Sequence, residues 1–124
     1  MASRTILIVD DETDIHRLLK AVLEGAGHRV SSALDAMQGL MMIRQLKPDL
    51  IVLDINMPAG GGAQVYDRLR KMSGSLGTPV LVYTKVSLSE VESKIGAHPN
   101  TRLLAKPAQP QEILTAVEQL LGAG

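Results

Sequence analysis

Cysteine is absent from the 124 residues, which removes disulfides, thiolate nucleophiles and cysteine-ligated zinc or iron–sulfur centres. Phenylalanine and tryptophan are also missing and tyrosine occurs twice, so Leu, Ile, Val and six Met must fill the core. Excess charge of either sign is lacking. The 13 basic and 13 acidic side chains cancel, so the chain has no broad positive field of the kind nucleic-acid binding draws on, and no nucleic-acid partner is expected. Apolar runs stop after about four to six residues, against about 20 for a membrane-spanning helix, so no membrane association is expected. The opening MASRTILIVDD enters an acidic turn too soon for a signal peptide, which makes a cytoplasmic location the expectation.

What is present is an alternation of two periods. TILIVD (5–10), HRVSSAL (28–34), DLIVLD (49–54), PVLVYT (79–84) and TRLLAK (101–106) read as strands. The first, third and fourth are almost continuously apolar, as central parallel strands covered on both faces must be. The second alternates, Val30 and Ser32 against Arg29 and Ser31, and reads as an edge.

Between them lie five segments of helical period. Ile15, Leu18, Leu19, Val22 and Leu23 form the first apolar stripe, which ends at Gly25 or Gly27. Asp35 and Gln38 have capping-box spacing, and the helix they open is expected to bury Met37, Leu40 and Met41. Val65, Leu69 and Met72 mark a third helix. A second capping box, Ser87 and Glu90, opens a fourth with the thin stripe Val91 and Ile95. Ile113, Leu114, Val117, Leu120 and Leu121 mark a fifth. The Met residues at 37, 41, 42 and 72 read as packing, and His16, among charged neighbours, reads as a solvated surface residue. Alternating (βα)5 implies an α/β fold with a doubly wound parallel sheet. The tail GAG leaves no room for more, so residues 1–124 read as a single domain with no output domain.

In such a sheet, ligands bind at the carboxyl ends of the strands. There the first strand delivers Asp10 and Asp11, the third Asp54, the fourth Thr84 and the fifth Lys106. Taken singly each is ordinary: acids suit a helix N-terminus, Thr ends many strands, and a Lys before Pro is usually solvated. Taken together they are not. Three carboxylates within about 4 Å repel by several kcal/mol per pair at intermediate dielectric, so such a cluster calls for a cation. Oxygen-only ligands favour a hard ion such as Mg²⁺. A carboxylate nucleophile, a metal, a Lys and a hydroxyl are the parts that phosphoryl transfer needs.

ILIVDDE, LIVLDINMP, the Thr closing VLVYT, and LLAKP resemble, in order and spacing, the four signature segments of the response-regulator receiver domain of two-component signalling. The resemblance runs from Thr5 to Leu121. It implies a flavodoxin-like five-stranded sheet in the order 2-1-3-4-5, as in single-domain chemotaxis regulators. It also implies that Asp54 accepts the phosphoryl group. Mg²⁺ would be bound by Asp11, Asp54 and the backbone carbonyl of Asn56, with Asp10 acting through water. Thr84 would be the switch hydroxyl, Lys106 the partner of a phosphoryl oxygen, and Lys106–Pro107 a cis peptide. The implied partners are a sensor histidine kinase or histidine phosphotransfer protein and a downstream protein.

Four features depart from the family pattern. Leu103 stands where an aromatic ring usually swings, Lys85 where a small residue follows the switch Thr, and Ala108 where Phe follows KP. AGGG (59–62) replaces a Met-Asp-Gly triplet, with only the last Gly matching. The alternatives are a docking module independent of phosphorylation, motivated by Leu103 and Lys85, and a Mg²⁺-dependent phosphohydrolase. The latter wants an acid two residues after the nucleophile, where this chain has Asn56. The expected role is therefore a signalling domain, not an enzyme. A flavin or dinucleotide protein ranks below both alternatives, because DDETD in the first strand–helix turn would repel phosphates instead of cradling them.

Overall fold

The computed structural model describes residues 3–58, 61–72, 77–96 and 98–122. Ala59 and Gly60 of the AGGG run, and the chain ends at 1–2 and 123–124, lie outside the described residues. Strands and helices alternate as β1 (Thr5–Val9), α1 (Thr13–Gly25), β2 (Arg29–Ala33), α2 (Ala36–Leu46), β3 (Leu50–Leu53), α3 (Gly61–Leu69), β4 (Val80–Thr84), α4 (Leu88–Ile95), β5 (Thr101–Ala105) and α5 (Pro110–Gly122). The sheet is parallel throughout, in the order β2-β1-β3-β4-β5. The expected doubly wound, flavodoxin-like fold is therefore present, with β2 at an edge.

Alternate residues of the central strands feed two separate cores, as the period of two requires. Leu7, Val9, Ile51, Leu53, Val80 and Val82 face one side, where Ile43 of α2, Val65 and Leu69 of α3, and Val91 of α4 cover them. Ile6, Ile8, Leu50, Val52 and Leu81 face the other, under Leu19 and Leu23 of α1 and Ile113, Val117 and Leu120 of α5. Each such side chain removed from water contributes about 1.5–3 kcal/mol. Both tyrosines complete these cores without Phe or Trp. Tyr83 lies under α5, and Tyr66 lies on the α3 side with its hydroxyl 2.8 Å from Thr101 Oγ1.

Both N-cap side chains act as expected: the Gln38 N–H donates to Asp35 Oδ1 at 2.8 Å, and the Glu90 N–H to Ser87 Oγ at 3.3 Å. Gln38 Oε1 accepts from the Leu34 N–H at 2.7 Å instead of closing a box on Asp35. Two expectations for the helices fail. Met37 and Met41 do not enter the core; they are 77% and 53% exposed. The buried face of α2 is instead Gly39 and Ile43. Gly39 lies so close to β1 that an added Cβ would fall 2.9 Å from Val9 Cγ1, and this contact turns the methionines outward. His16 is the second correction. It is buried with Leu19 and Leu23 on the inner face of α1, while Leu18 is 39% exposed. Its Nε2 lies 2.7 Å from the Asp10 carbonyl oxygen. A carbonyl only accepts, so Nε2 carries the proton. In β2, Ser32 is exposed and does not follow Val30 inward.

Candidate functional site

The sheet ladder itself delivers the site. The Asp10 N–H donates to the Ala33 carbonyl at 3.1 Å, and the Asp54 N–H to the Val9 carbonyl at 3.0 Å. On the other side of the sheet the Lys106 N–H donates to the Thr84 carbonyl at 2.8 Å. Each of these residues stands one position past its strand, so backbone pairing fixes where the side chain starts. Asp10, Asp54 and Thr84 are buried, and the Lys106 side chain is almost wholly so.

These side chains converge on one ammonium. Lys106 Nζ donates to Asp10 Oδ2 at 2.8 Å, to Glu12 Oε2 at 2.9 Å and to Asp54 Oδ2 at 3.2 Å. The other oxygen of each aspartate closes a local turn. Asp10 Oδ1 accepts from the Glu12 N–H at 2.8 Å, and Asp54 Oδ1 from the Asn56 N–H at 2.9 Å. Such Asx turns lock the carboxylate rotamers, which a nucleophile or metal ligand needs. Beneath Lys106 lies the Tyr83 ring, its centroid 5.7 Å from Nζ, while the Tyr83 hydroxyl accepts from the Ala108 N–H at 3.0 Å. Lys106–Pro107 is cis, as expected.

Burial and the shared lysine together set the directions in which Lys106, Asp10 and Glu12 titrate. Burial disfavours the Lys106 cation, but Asp10, Glu12 and Asp54 more than offset it, and its pKa is raised. Asp10 is raised, chiefly because burial penalises its charge beyond what Lys106 and the Glu12 N–H return. Glu12 is more exposed and is lowered, chiefly by its hydrogen bond to Lys106.

Glu12 is the residue that the sequence did not single out. It occupies the N-cap of α1, yet its side chain caps no N–H there. It reaches Lys106, and its second oxygen lies 3.6 Å from Lys85 Nζ. Asp10, Glu12 and Asp54 bring carboxylate oxygens within 4.8 Å of one another, a hard-cation donor set among the described residues. Asp11 and Asn56 are exposed and line the adjoining cavity of about 210 Å³ with Glu12, Asp54 and Lys85. Thr84 Oγ1 accepts from the Val86 N–H at 3.3 Å. Gly62 serves the site sterically. A Cβ there would fall 2.1 Å from the Asp54 carbonyl oxygen, so only glycine lets the start of α3 approach the loop that carries Asp54.

A parallel sheet of this order, with an Asp–Lys constellation at its carboxyl edge, is the architecture of a signalling receiver. The chain belongs to the response regulator receiver domain family, whose model matches residues 6–118. It is 37% identical over 118 residues to the DNA-binding dual master transcriptional regulator RpaA of Synechocystis, covering 94% of this chain and 48% of that protein. It is 33% identical to Protein PilH of Pseudomonas aeruginosa, covering 94% of this chain and 96% of PilH. The chemotaxis protein CheY4 of Vibrio cholerae superposes with a TM-score of 0.89 at 29% identity, over 97% of this chain and 100% of that structure. The chain spans about half the length of RpaA and several other curated relatives it matches. Receiver domains are signalling domains and generally not enzymes. No helix among the described residues is long and apolar enough to cross a membrane.

Proposed function

We propose that this receiver domain, over residues 1–124, accepts a phosphoryl group on Asp54 from a phosphohistidine donor, with Mg²⁺, and signals through protein contacts. The observation that supports it best is the convergence of Asp10, Glu12 and Asp54 on Lys106 Nζ. In the transfer, an Asp54 carboxylate oxygen forms the new P–O bond. The P–N bond to the donor imidazole breaks, and that imidazole leaves with the bonding electron pair and takes up a proton. Lys106 already lies 3.2 Å from Asp54 and offers its positive charge to the phosphoryl oxygens as they arrive. Thr84 supplies a hydroxyl at the end of the neighbouring strand.

The all-oxygen donor set fits Mg²⁺. Asp11, Asp54 and the Asn56 carbonyl would hold the ion, with Asp10 assisting, and Glu12 joins the candidates. When bound, the ion neutralises phosphoryl charge. The chain's own part is to hold Asp54 rigid through Asn56 and to keep Lys106 among its acids.

The donor is a sensor histidine kinase or a histidine phosphotransfer protein, and the setting is the cytoplasm. The domain assists only its own phosphorylation and dephosphorylation. A docking module that ignores phosphorylation is the weaker reading, because a complete acid–lysine set has no use in it. Intact-mass measurement after incubation with Mg²⁺ and a small phosphodonor tests the proposal. A gain of one phosphoryl is expected, lost on chelation and in Asp54→Asn. A gain that survives both would refute it.

A further inference from the structure

The two methionines that α2 turns outward are spaced i, i+4, with Leu40 partly buried behind them. Across from them α3 presents Gln64 and Arg68, also i, i+4. Together with Ala36 and Arg44, these residues line an open groove of about 400 Å³ between the two helices. Its floor is apolar and its rim carries two arginines. No acid lines it, and among the described residues neither Arg44 nor Arg68 takes part in a salt bridge. The phosphoacceptor site does not use this surface, which lies on the helices and not at the strand ends.

We propose that the α2–α3 groove docks an acidic amphipathic helix of a partner protein. Its apolar side chains, at helical spacing, would lie on Met37, Leu40 and Met41, and its carboxylates would reach Arg44 and Arg68. The physical case has three parts. Met37 to Arg44 spans about two helical turns, the length over which a docked helix places successive anchors. Methionine is flexible and polarizable, and adapts to varied apolar partners. Guanidinium groups pair with carboxylates in bidentate geometry, so the rim selects for acid. A second copy of this chain is the wrong occupant. A two-fold contact would set the arginines of one groove against those of the other, with no acid in either to balance them.

The test is a displayed library of random amphipathic helical peptides selected on the intact chain. The peptides enriched are expected to be acidic. They should bind about tenfold more weakly to Arg44→Glu/Arg68→Glu and to Met37→Glu/Met41→Glu, and should shift the Met37 and Met41 methyl resonances. All four side chains are exposed, and an unchanged melt will verify that each variant is folded. Basic or uncharged peptides, or binding indifferent to the substitutions, would overturn the proposal. Methyl shifts that depend on protein concentration without peptide would assign the groove to a second copy instead. Shifts produced by anionic vesicles and not by peptides would assign it to a lipid surface.

Discussion

Asp10 and Asp54 are held in the same way at the ends of adjacent strands. In each, Oδ1 accepts from the N–H two residues further on and Oδ2 accepts from Lys106 Nζ. Two Asx turns thus aim two carboxylates at one cation from opposite sides of the β1–β3 ladder. The arrangement is rigid but electrostatically unbalanced, since Glu12 adds a third acid to the same lysine.

That imbalance predicts the cost of losing the cation. Lys106→Met leaves the buried Asp10 and Asp54 side chains without a counter-charge, a loss of about 3–5 kcal/mol by comparison with other broken buried pairs. The melting temperature at neutral pH should fall sharply without divalent ions and recover in part on adding Mg²⁺ or on lowering the pH. Thermal melts across pH check this. A variant as stable as the parent under every condition would show that the acids do not repel.

Asp10 makes the opposite prediction. Its native pKa lies above the ordinary 3.8, so the folded state binds the proton more tightly than the unfolded one. Its ionisation therefore costs stability at neutral pH, and that cost is relieved as the pH falls through the raised native value. Glu12 is lowered, so its contribution is present above about pH 4.5 and is lost on acidification below it. Asp10→Asn should raise the melting temperature of the metal-free protein at pH 7 by a few degrees and flatten its rise between neutrality and about pH 4. A decrease at pH 7 would mean that the Lys106 contact outweighs burial.

Lys85 and Leu103 predict how the signal is handled. Lys85 reaches Glu12 across the mouth of the cavity beside Asp54, where it can pair with added phosphate and obstruct water. Lys85→Ala should shorten the phosphoryl lifetime several-fold. Leu103 packs partly against the α3–α4 core and has no ring to rotate. NMR mapping with beryllofluoride should therefore show changes concentrated at Thr84, Lys85 and α4. Large shifts at Leu103 and α5, or an unchanged lifetime in Lys85→Ala, would contradict this.

β1, β3 and β4 were legible as nearly continuous apolar runs, and Asp10, Asp54, Thr84 and Lys106 because each is the polar residue that closes an apolar stretch. The features that escaped have specific causes. On α2 the face turned to the sheet is centred on Gly39, which adds no apolar side chain to a stripe; the hydrophobic pattern therefore pointed to Met37 and Met41. On α1 the inward face runs through 16, 19 and 23, and the charged neighbours of His16 belong to the opposite side. Asp11 is exposed at the cavity and stays outside the tight group. Glu12 looked like a helix-start acid because its partner, Lys106, lies 94 residues away. Contacts at that separation exist only in the folded chain.

The most direct measurement is chemical mapping of the phosphorylated residue. After incubation with Mg²⁺ and a small phosphodonor, borohydride reduces an aspartyl phosphate to homoserine, which peptide mass spectrometry locates. Homoserine at position 54, absent without Mg²⁺ and absent in Asp54→Asn, is the predicted result. Homoserine at position 10 or 11, hydroxynorvaline at position 12, or no reduced residue at all, would contradict the assignment of Asp54 as the acceptor.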